Sequence, residues 1–283
     1  MPSQREIRRR ISSVRNIKQI TRAMQFVAAS KLKRAQDATL ASRPYSDKLD
    51  EVLSDLASVL GGDEHPLLAQ REGDRRLLVV FTTDRPLAGA LNANVVRFAG
   101  REIVEHQGDV RVAAVGRKGR DALRRMRVPI VASFANYGDR PAFADVLPLA
   151  RLITDDYLAG SYDRVDLVYA QFISTLTQRP RLDTLLPIRP SGDTRGIPGN
   201  QFIFEPNPGA VLEQLLPRYV ATRVYQAVLE SAASEQSSRM VAMKNATENA
   251  EELIEDLTLT YNKVRQANIT REMIEIASGA QAL

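Results

Sequence analysis

The sequence predicts a mixed α/β protein in which an α/β domain is inserted between two long helices that pair as an antiparallel coiled coil. Two observations support this prediction. Both ends of the 283-residue chain contain few helix-breaking residues and repeat apolar residues at steps of three and four. The middle of the chain alternates short apolar runs with helical segments, which is typical of a largely parallel sheet.

The N-terminal segment has the pattern of one long helix. Glycine is absent from residues 1–60, and proline occurs there only at Pro2 and Pro44. Ser3 followed by Glu6 has the spacing of a capping box. The apolar stripe repeats at a mean step below about 3.6 residues, which favours left-handed winding around a partner. Its members are Ile7, Ile11, Val14, Ile17, Ile20, Met24 and Val27.

The C-terminal segment supplies the expected partner of that helix. No glycine lies between Gly209 and Gly279, and Pro217 is the last proline. About 60 helical residues would extend roughly 90 Å, which exceeds the diameter of a compact domain. Because such a helix is unfavourable alone in water, we expect the two chain ends to form a hairpin. The predicted seam is Met240, Met243, Thr247, Ala250, Ile254, Leu257, Tyr261 and Val264.

The middle of the chain predicts a Rossmann-like α/β domain. Strands are expected at 75–84, 110–116, 128–134 and 165–172, with an edge strand near 179–188. Helices are expected between them at 91–106, 117–126 and 143–158. The domain boundaries that follow are 1–61 for the N-terminal helix, 75–190 for the α/β domain and 208–283 for the C-terminal helix. The Gly/Pro-rich segment 188–209 is expected to be an exposed linker or hairpin.

Composition excludes several classes of function. The chain has no cysteine, so disulfides, thiolate metal sites and a cysteine nucleophile are excluded. The two histidines, His65 and His106, lie in unrelated contexts, which argues against a histidine metal site or acid/base pair. No apolar run approaches the roughly 20 residues needed to cross a bilayer, and the N-terminus lacks an apolar signal core. We therefore expect a cytosolic protein without bilayer insertion, attached to other components.

Basic residues are concentrated at the N-terminus. The formal net charge is only +5, yet Glu6 is the single acid between Met1 and Gln36, against ten lysines and arginines. This excess indicates an acidic partner, which could be a protein, a nucleic acid or a membrane surface. The apolar stripe on the same helix and the scarcity of aromatic residues argue against the last two.

Two segments follow strands and open helices, where phosphate-binding loops occur. FTTDRPLAGALNANV lacks the glycine pattern of such loops, so Asp84 and Arg85 are expected to form a turn with an ion pair. VGRKGRD combines glycines with basic residues and is a weak candidate for an anion site, the alternative being a solvated basic turn. No hydrolase or metalloprotease motif occurs, so the chain alone shows no catalytic set.

The C-terminal tip combines polar and apolar residues where the seam ends. Arg265, Gln266, Asn268 and Thr270 are polar, whereas Ile269, Met273, Ile274 and Ile276 are apolar. A frayed end is the simplest interpretation. The apolar residues give such an end no advantage, so the alternative is insertion into a cavity of another protein.

Segments from both ends and the middle of the chain resemble the γ subunit of the F-type ATP synthase. They are IRRRISSVRNIKQITRAMQFVAASKLKRAQ, TTDRPLAGALNAN, VGRKGRD, FISTLTQRPRLDTLLPI and ASEQSSRMVAMKNATENAEELIEDLTLTYNKVRQANITREMIEIASGAQAL. The last contains ITxExxExxxGAxA, which is similar to the signature pattern of that family.

The resemblance implies a central-stalk rotor that is not catalytic itself and binds no cofactor. In that family the paired helices form a shaft inside the ring of α and β subunits. The α/β domain rests on the membrane rotor ring, the c-ring, beside the ε subunit. The shaft transmits torque during ATP synthesis or hydrolysis, coupled to proton or sodium transport. The implied location is the cytoplasmic face of a bacterial inner membrane, as a peripheral subunit.

Four residues match family positions that contact the β subunit. Arg265, Gln266 and Thr270 match positions that bind an acidic loop of β, and Met24 matches the position that faces an acidic segment of β. The sequence departs from the family at Pro86 and Ala88, where glycine and cysteine are common. Two other functions stay open from the residues alone, a coiled coil that binds nucleic acid and an α/β enzyme with helical arms.

Overall fold

The computed structural model describes residues 3–60, 65–189 and 205–281. Within these ranges helices and strands alternate as the sequence predicts, and the fold class is confirmed. The elements are α1 (Gln4–Leu60), β1 (Arg76–Phe81), α2 (Leu91–Glu105), β2 (Val110–Val115), α3 (Arg117–Arg125), β3 (Ile130–Phe134), α4 (Phe143–Leu158), β4 (Arg164–Phe172), β5 (Gln178–Leu186) and α5 (Pro208–Gln281). Most of the segment interpreted as a linker lies outside the described residues.

The chain divides into two compact units. The hairpin unit consists of residues 1–28 and 239–283, and the α/β unit consists of residues 29–238. The long helices α1 and α5 contribute residues to both units.

One five-stranded sheet organises the α/β unit. Its strand order is β3-β2-β1-β4-β5, in which β5 is antiparallel to β4 and the other pairings are parallel. Every residue of the central strand β1 is buried, whereas residues of the edge strand β3 alternate between partly buried and exposed. This difference is expected, because a central parallel strand is covered on both faces while an edge strand is not.

Helices cover both faces of the sheet. On one face, residues of α2 and α3 pack against Leu78 and Val80; they are Leu91, Val95, Ala99 and Leu123. On the other face, α4 packs against Leu77 and Val79 together with segments of both long helices, through Leu49, Leu53, Leu56, Ile153, Tyr157, Leu216, Val220 and Val224. The long helices are therefore part of the core of the α/β unit as well as of the hairpin.

Three side-chain contacts show that the helices of the hairpin unit run antiparallel. The Gln4 amide donates to the Tyr261 hydroxyl at 3.1 Å. Lys18 donates to the Glu251 carboxylate at 2.5 Å, and the hydroxyls of Thr21 and Thr247 lie 2.8 Å apart. Because partners on α5 descend in number as those on α1 ascend, the hairpin predicted from the sequence is confirmed.

The start of α1 is capped as the spacing predicted, with one difference. The backbone N–H of Glu6 donates to the Ser3 hydroxyl at 3.3 Å. The Glu6 carboxylate, however, accepts from Arg10 at 2.9 Å, one turn along the helix. The cap is therefore confirmed, while the Glu6 side chain is used for an ion pair.

The seam on α5 is confirmed, but part of the predicted stripe on α1 is wrong. Every predicted seam position on α5 is buried or partly buried. On α1, Ile7 and Ile11 are buried, whereas Ile17, Ile20 and Val27 are exposed. Successive steps of three turn those side chains away from α5. Alternating steps of four and three keep side chains on the side of α1 that faces α5. The observed seam therefore continues through Lys18, Thr21 and Ala28.

Candidate partner-binding surfaces

The basic N-terminal segment forms an exposed surface of the hairpin unit. Its members Arg5, Arg8, Arg9, Arg10, Arg15 and Arg22 are all exposed. Arg10 has an acidic partner on the same helix in Glu6, and Lys18 pairs with Glu251 across the hairpin. The hydrogen bond from Lys18 lowers the pKa of the Glu251 carboxyl. Internal pairing thus accounts for a minority of the basic residues, and the remaining surface is positively charged.

An exposed apolar row lies on α1 within the hairpin unit. It consists of Ile17, Ile20 and Val27, together with the partly buried Met24. Steps of three, four and three place these residues on one side of the helix. Contiguous exposed apolar residues of this kind mark a surface that binds a partner. Met24, predicted from the family resemblance to face the β subunit, is thus one member of an apolar row that sequence analysis had assigned to the seam.

The tip of α5 extends beyond the paired part of the hairpin. Tyr261 contacts Gln4 at the start of α1, and α5 continues from there to Gln281. The three predicted contact residues on this extension, Arg265, Gln266 and Thr270, are all exposed. The apolar tip residues are exposed as well; they are Ile269, Met273, Ile274 and Ile276. The tip therefore presents hydrogen-bonding and apolar groups together.

The four predicted contact residues do not form one cluster. The Thr21–Thr247 contact shows that Met24, three residues from Thr21 on α1, lies near Thr247 along the axis of the hairpin. Arg265 lies 18 residues beyond Thr247 on α5, which corresponds to about 27 Å along a helix. The structure therefore presents two separate surfaces, one at the apolar row and one at the tip.

In the α/β unit, the first of the two loops weighed as a phosphate site supplies an anion to α3, the helix that the second loop opens. The Asp84 carboxylate accepts from the backbone N–H of Arg117 at 3.0 Å and from that of Asn136 at 2.7 Å. Arg117 is the first residue of α3, so Asp84 lies where a bound phosphate would contact the helix N-terminus. The ion pair predicted for Asp84 forms with Arg117, at 3.7 Å, rather than with Arg85.

The glycines of the second loop make room for a neighbouring strand end. Gly116 has φ of 92°, and a Cβ there would lie 2.1 Å from the Thr82 carbonyl oxygen. Gly119 donates its backbone N–H to the Thr82 hydroxyl at 2.8 Å. The two loops therefore bind each other, which favours a structural role over an anion site.

A cavity of about 240 Å³ lies where β1, β2 and β3 end, next to α5. The hydroxyls of Tyr137 and Ser231, which line it, are buried without a hydrogen-bond partner in the described structure. Burial raises the pKa of Tyr137 to about 12, so this phenol stays protonated near neutral pH. The cavity lining includes the carboxylates of Asp84, Asp139 and Glu235 but no histidine or cysteine.

Both histidines are engaged with backbone groups. The His65 ring accepts from the Leu67 N–H at 3.1 Å, and burial lowers the pKa of His65. His106 contacts the carbonyl of Asp74 at 2.9 Å. Within the described ranges no cluster of three or more potential metal-ligating side chains occurs. In the same part of the chain, no helix combines the length and apolar character that a membrane span requires.

Comparison with known proteins covers the whole chain. The family model described as ATP synthase matches residues 3–283. The ATP synthase gamma chain of Dehalococcoides mccartyi is 50% identical over 287 residues, with all of both chains covered. That of Roseiflexus castenholzii is 50% identical over 291 residues, covering 100% of this chain and 99% of the relative.

Solved structures show the same fold. A chain in the central stalk/c-ring structure of the Tetrahymena thermophila mitochondrial ATP synthase is 26% identical, with a TM-score of 0.63, covering 80% of this chain and 99% of its own length. A chain in the rotor of the Euglena gracilis mitochondrial ATP synthase is 20% identical, with a TM-score of 0.68, covering 94% of this chain and 98% of its own length. From the family match and the full-length identity to gamma chains, this chain belongs to the ATP synthase gamma-chain family.

Proposed function

We propose that the chain is the central-stalk rotor subunit that transmits torque between the c-ring and the catalytic α/β hexamer, without catalysing a reaction itself. The observation that carries this proposal is the hairpin unit. It combines an exposed basic surface, an exposed apolar row and a helical tip that extends beyond its partner helix. These features suit a shaft surrounded by other subunits.

The exposure of the basic surface suits a rotor that must not be held at one angle. Attraction between exposed charges is weakened by salt over roughly 8–10 Å and gains little from any single pair. A diffuse positive surface can therefore stay close to acidic segments of the β subunits while it turns. The tip residues Arg265, Gln266 and Thr270 can instead form directional, charge-assisted hydrogen bonds with an acidic loop of β.

The α/β unit is proposed to connect this shaft to the c-ring, beside the ε subunit, at the cytoplasmic face of the membrane. The similar chain in the T. thermophila central stalk/c-ring structure supports this assignment. The Asp84 carboxylate occupies the position at the N-terminus of α3 where a nucleotide phosphate could bind. This supports a connecting role for the unit over nucleotide chemistry.

The decisive experiment is reconstitution of this chain with α and β subunits from the same source, followed by an ATPase assay with and without it. We expect a stable complex with one copy per three αβ pairs, and activity that depends on the chain. Failure to associate with correctly folded α and β would contradict the proposal. The nucleic-acid alternative would then be tested by binding to DNA or RNA, with affinity that falls steeply as salt increases.

The tip contacts are tested in the same complex. Simultaneous Arg265→Ala, Gln266→Ala and Thr270→Ala should alter the ATPase rate or its coupling, because the proposed hydrogen bonds to β are lost. The matched control is Arg271→Ala, which removes an exposed basic residue of the same tip and changes the net charge by the same amount as the tip variant. Equal rates and coupling in the wild type, the tip variant and the control would exclude an important role for the three residues.

A further inference from the structure

Three serines of α5 bind backbone carbonyls of the α/β unit. The hydroxyl of Ser234 donates to the Ala170 carbonyl at 2.8 Å, at the end of β4. Ser237 donates to the Thr175 carbonyl at 2.6 Å, in the turn between β4 and β5. Ser238 donates to the Ala88 carbonyl at 2.7 Å, in the loop between β1 and α2. Ser234, Ser237 and Ser238 are called the serine row below.

Two neighbouring contacts extend the row. The Glu230 carboxylate accepts from the backbone N–H of Phe172 at 3.0 Å, and the Gln178 amide donates to the Ser237 hydroxyl at 3.1 Å. Positions 230, 234 and 237 are spaced by four and three, so they share one side of α5. Ser234 and Ser237 are 0% exposed. Two different loops are thus attached to adjacent sides of one helix by buried or partly buried hydrogen bonds.

This use of serine and threonine differs from that in the hairpin unit. There, Thr258 and Thr260 donate to carbonyls four residues earlier on α5 itself, which is the common local bond of a hydroxyl in a helix. The serine row instead bonds to other elements. The hydrophobic driving force is not directional, whereas a hydrogen bond weakens steeply when its angle changes. The serine row therefore adds directional bonds to the core packing that already holds α5 at one rotational setting about its own axis.

The loop bound by Ser238 is also under local strain. Leu87, next to Ala88, has φ of 68°, a left-handed conformation that is unfavourable for leucine. Ala88 itself is buried. Such a conformation persists only where the surroundings determine it, and the Ser238 hydrogen bond is one of the contacts that do so.

We propose that the serine row, with Glu230, is a torsional lock that prevents α5 from turning about its axis relative to the sheet of the α/β unit when torque is applied. The lock lies at the end of the α/β unit, because Arg239 is the first residue of the C-terminal part of the hairpin unit. These are positioning residues, and the inference rests on the proposed rotor function.

The test uses the complete ATP synthase reconstituted in vesicles. The variant carries Ser234→Ala, Ser237→Ala and Ser238→Ala. The matched control is Ser231→Ala, which removes a buried hydroxyl of the same helix that has no partner within the described residues. Three quantities are measured: ATP hydrolysis without load, transported ions (H+ or Na+) pumped per ATP, and the torsional stiffness of the rotor from the fluctuations of an attached bead.

The lock predicts a change in stiffness and in pumping, with hydrolysis in the absence of load unchanged. We expect hydrolysis without load to stay close to the wild-type rate, while stiffness falls below that of Ser231→Ala because the three hydrogen bonds donated by the serines are lost. Ions pumped per ATP should fall with it, and Ser231→Ala should match the wild type in all three measurements. Stiffness and pumping equal to those of Ser231→Ala would overturn the proposal.

Single replacements decide the matter if the triple variant fails to assemble. Ser237→Ala and Ser238→Ala release different loops, so each should lower stiffness by less than the triple change. Unaltered stiffness in both assembled single variants would also overturn the lock. A wild-type complex that does not rotate would contradict the proposed function itself, whereas normal wild-type rotation with unaltered variants contradicts only the lock.

Discussion

The α/β unit and the hairpin unit are stabilised by different means. The α/β unit has apolar clusters on both faces of its sheet and a buried ion pair between Arg76 and Asp166. The hairpin unit has one narrow seam, which includes the paired hydroxyls of Thr21 and Thr247, and it leaves an apolar row exposed. The difference indicates that the α/β unit supplies most of its own stability, while the hairpin keeps surface available for other subunits.

The largest expected effect is loss of the buried ion pair in the α/β unit. Asp166 is fully buried and accepts from Arg76 at 2.5 Å and from Arg164 at 3.0 Å. Asp166→Ala should lower the free energy of unfolding by about 3–5 kcal/mol, because a buried arginine loses its main partner. Denaturant unfolding of the isolated chain, followed by a probe in the sheet, measures this change.

An exposed ion pair serves as the control for Asp166. Arg111 and Asp109 lie 3.2 Å apart, and both side chains are 51% exposed. Asp109→Ala should change the free energy of unfolding by at most about 1 kcal/mol. Similar losses for the two variants would show that burial does not distinguish the pairs.

Two isoleucines of α1 test the corrected seam. Ile7 is 1% exposed and Ile17 is 50% exposed. In the isolated chain, Ile7→Ala should cost about 2–4 kcal/mol of hairpin stability, whereas Ile17→Ala should stay within about 0.5 kcal/mol. Hydrogen exchange of the amides of residues 4–28 measures both. Similar losses for the two variants would restore the seam predicted from the sequence, which contains both residues.

Alkaline pH should lower the free energy of unfolding of the α/β unit through ionisation of Tyr219. Burial is the main cause that raises the pKa of Tyr219 from 10.0 to about 12, with Arg223 opposing the shift. Since the folded state favours the neutral phenol, this stabilisation is complete below pH 10 and is lost as pH rises through about 12. The loss can reach about 2–3 kcal/mol. Tyr219→Phe should make unfolding less dependent on pH in this range, and an unchanged dependence would contradict the assignment.

The smallest expected effect is in the hairpin unit, at the exposed pair of Lys18 and Glu251. The pKa of Glu251 is lowered mainly by its hydrogen bond with Lys18, so the pair contributes above the ordinary carboxyl pKa and is lost as pH falls through the lowered value. Lys18→Ala should cause a small decrease in hairpin melting temperature at neutral pH and low salt. The difference should disappear in high salt or acid, and a difference that persists there would indicate lost packing of the lysine stem.

The sequence predicted the elements of the fold closely because each has a strong local pattern. The strands predicted at 110–116 and 165–172 correspond to β2 at Val110–Val115 and β4 at Arg164–Phe172. The contribution of α1 and α5 to the core of the α/β unit was not predicted, since helical periodicity shows which side is apolar and not what covers it. Leu53, Leu56 and Val224 could have suggested it, because apolar residues continue on both helices where the hairpin pattern weakens.

The candidate surfaces were predicted less completely. Arg265, Gln266 and Thr270 were identified by resemblance, and their exposure is compatible with that assignment while their contacts with β stay a prediction. The apolar row was missed because one stripe on α1 fits two helical registers, and only the position of the partner helix decides between them. The position of Asp84 at the N-terminus of α3 could not be predicted from the sequence either, since Asp84 and Arg117 are 33 positions apart.

The extended tip of α5 affects how a newly synthesised chain is degraded before it assembles. From Tyr261 to Gln281 the helix runs past the start of α1, with apolar side chains exposed. The end of a helix frays where nothing packs against it, so this segment should open readily in a chain that has not yet bound a partner. Cellular proteases and chaperones could bind the exposed tip in chains that have no partner, whereas incorporation into a complex would bury it. Degradation of unassembled copies would then keep the amount of this chain close to that of its partner subunits.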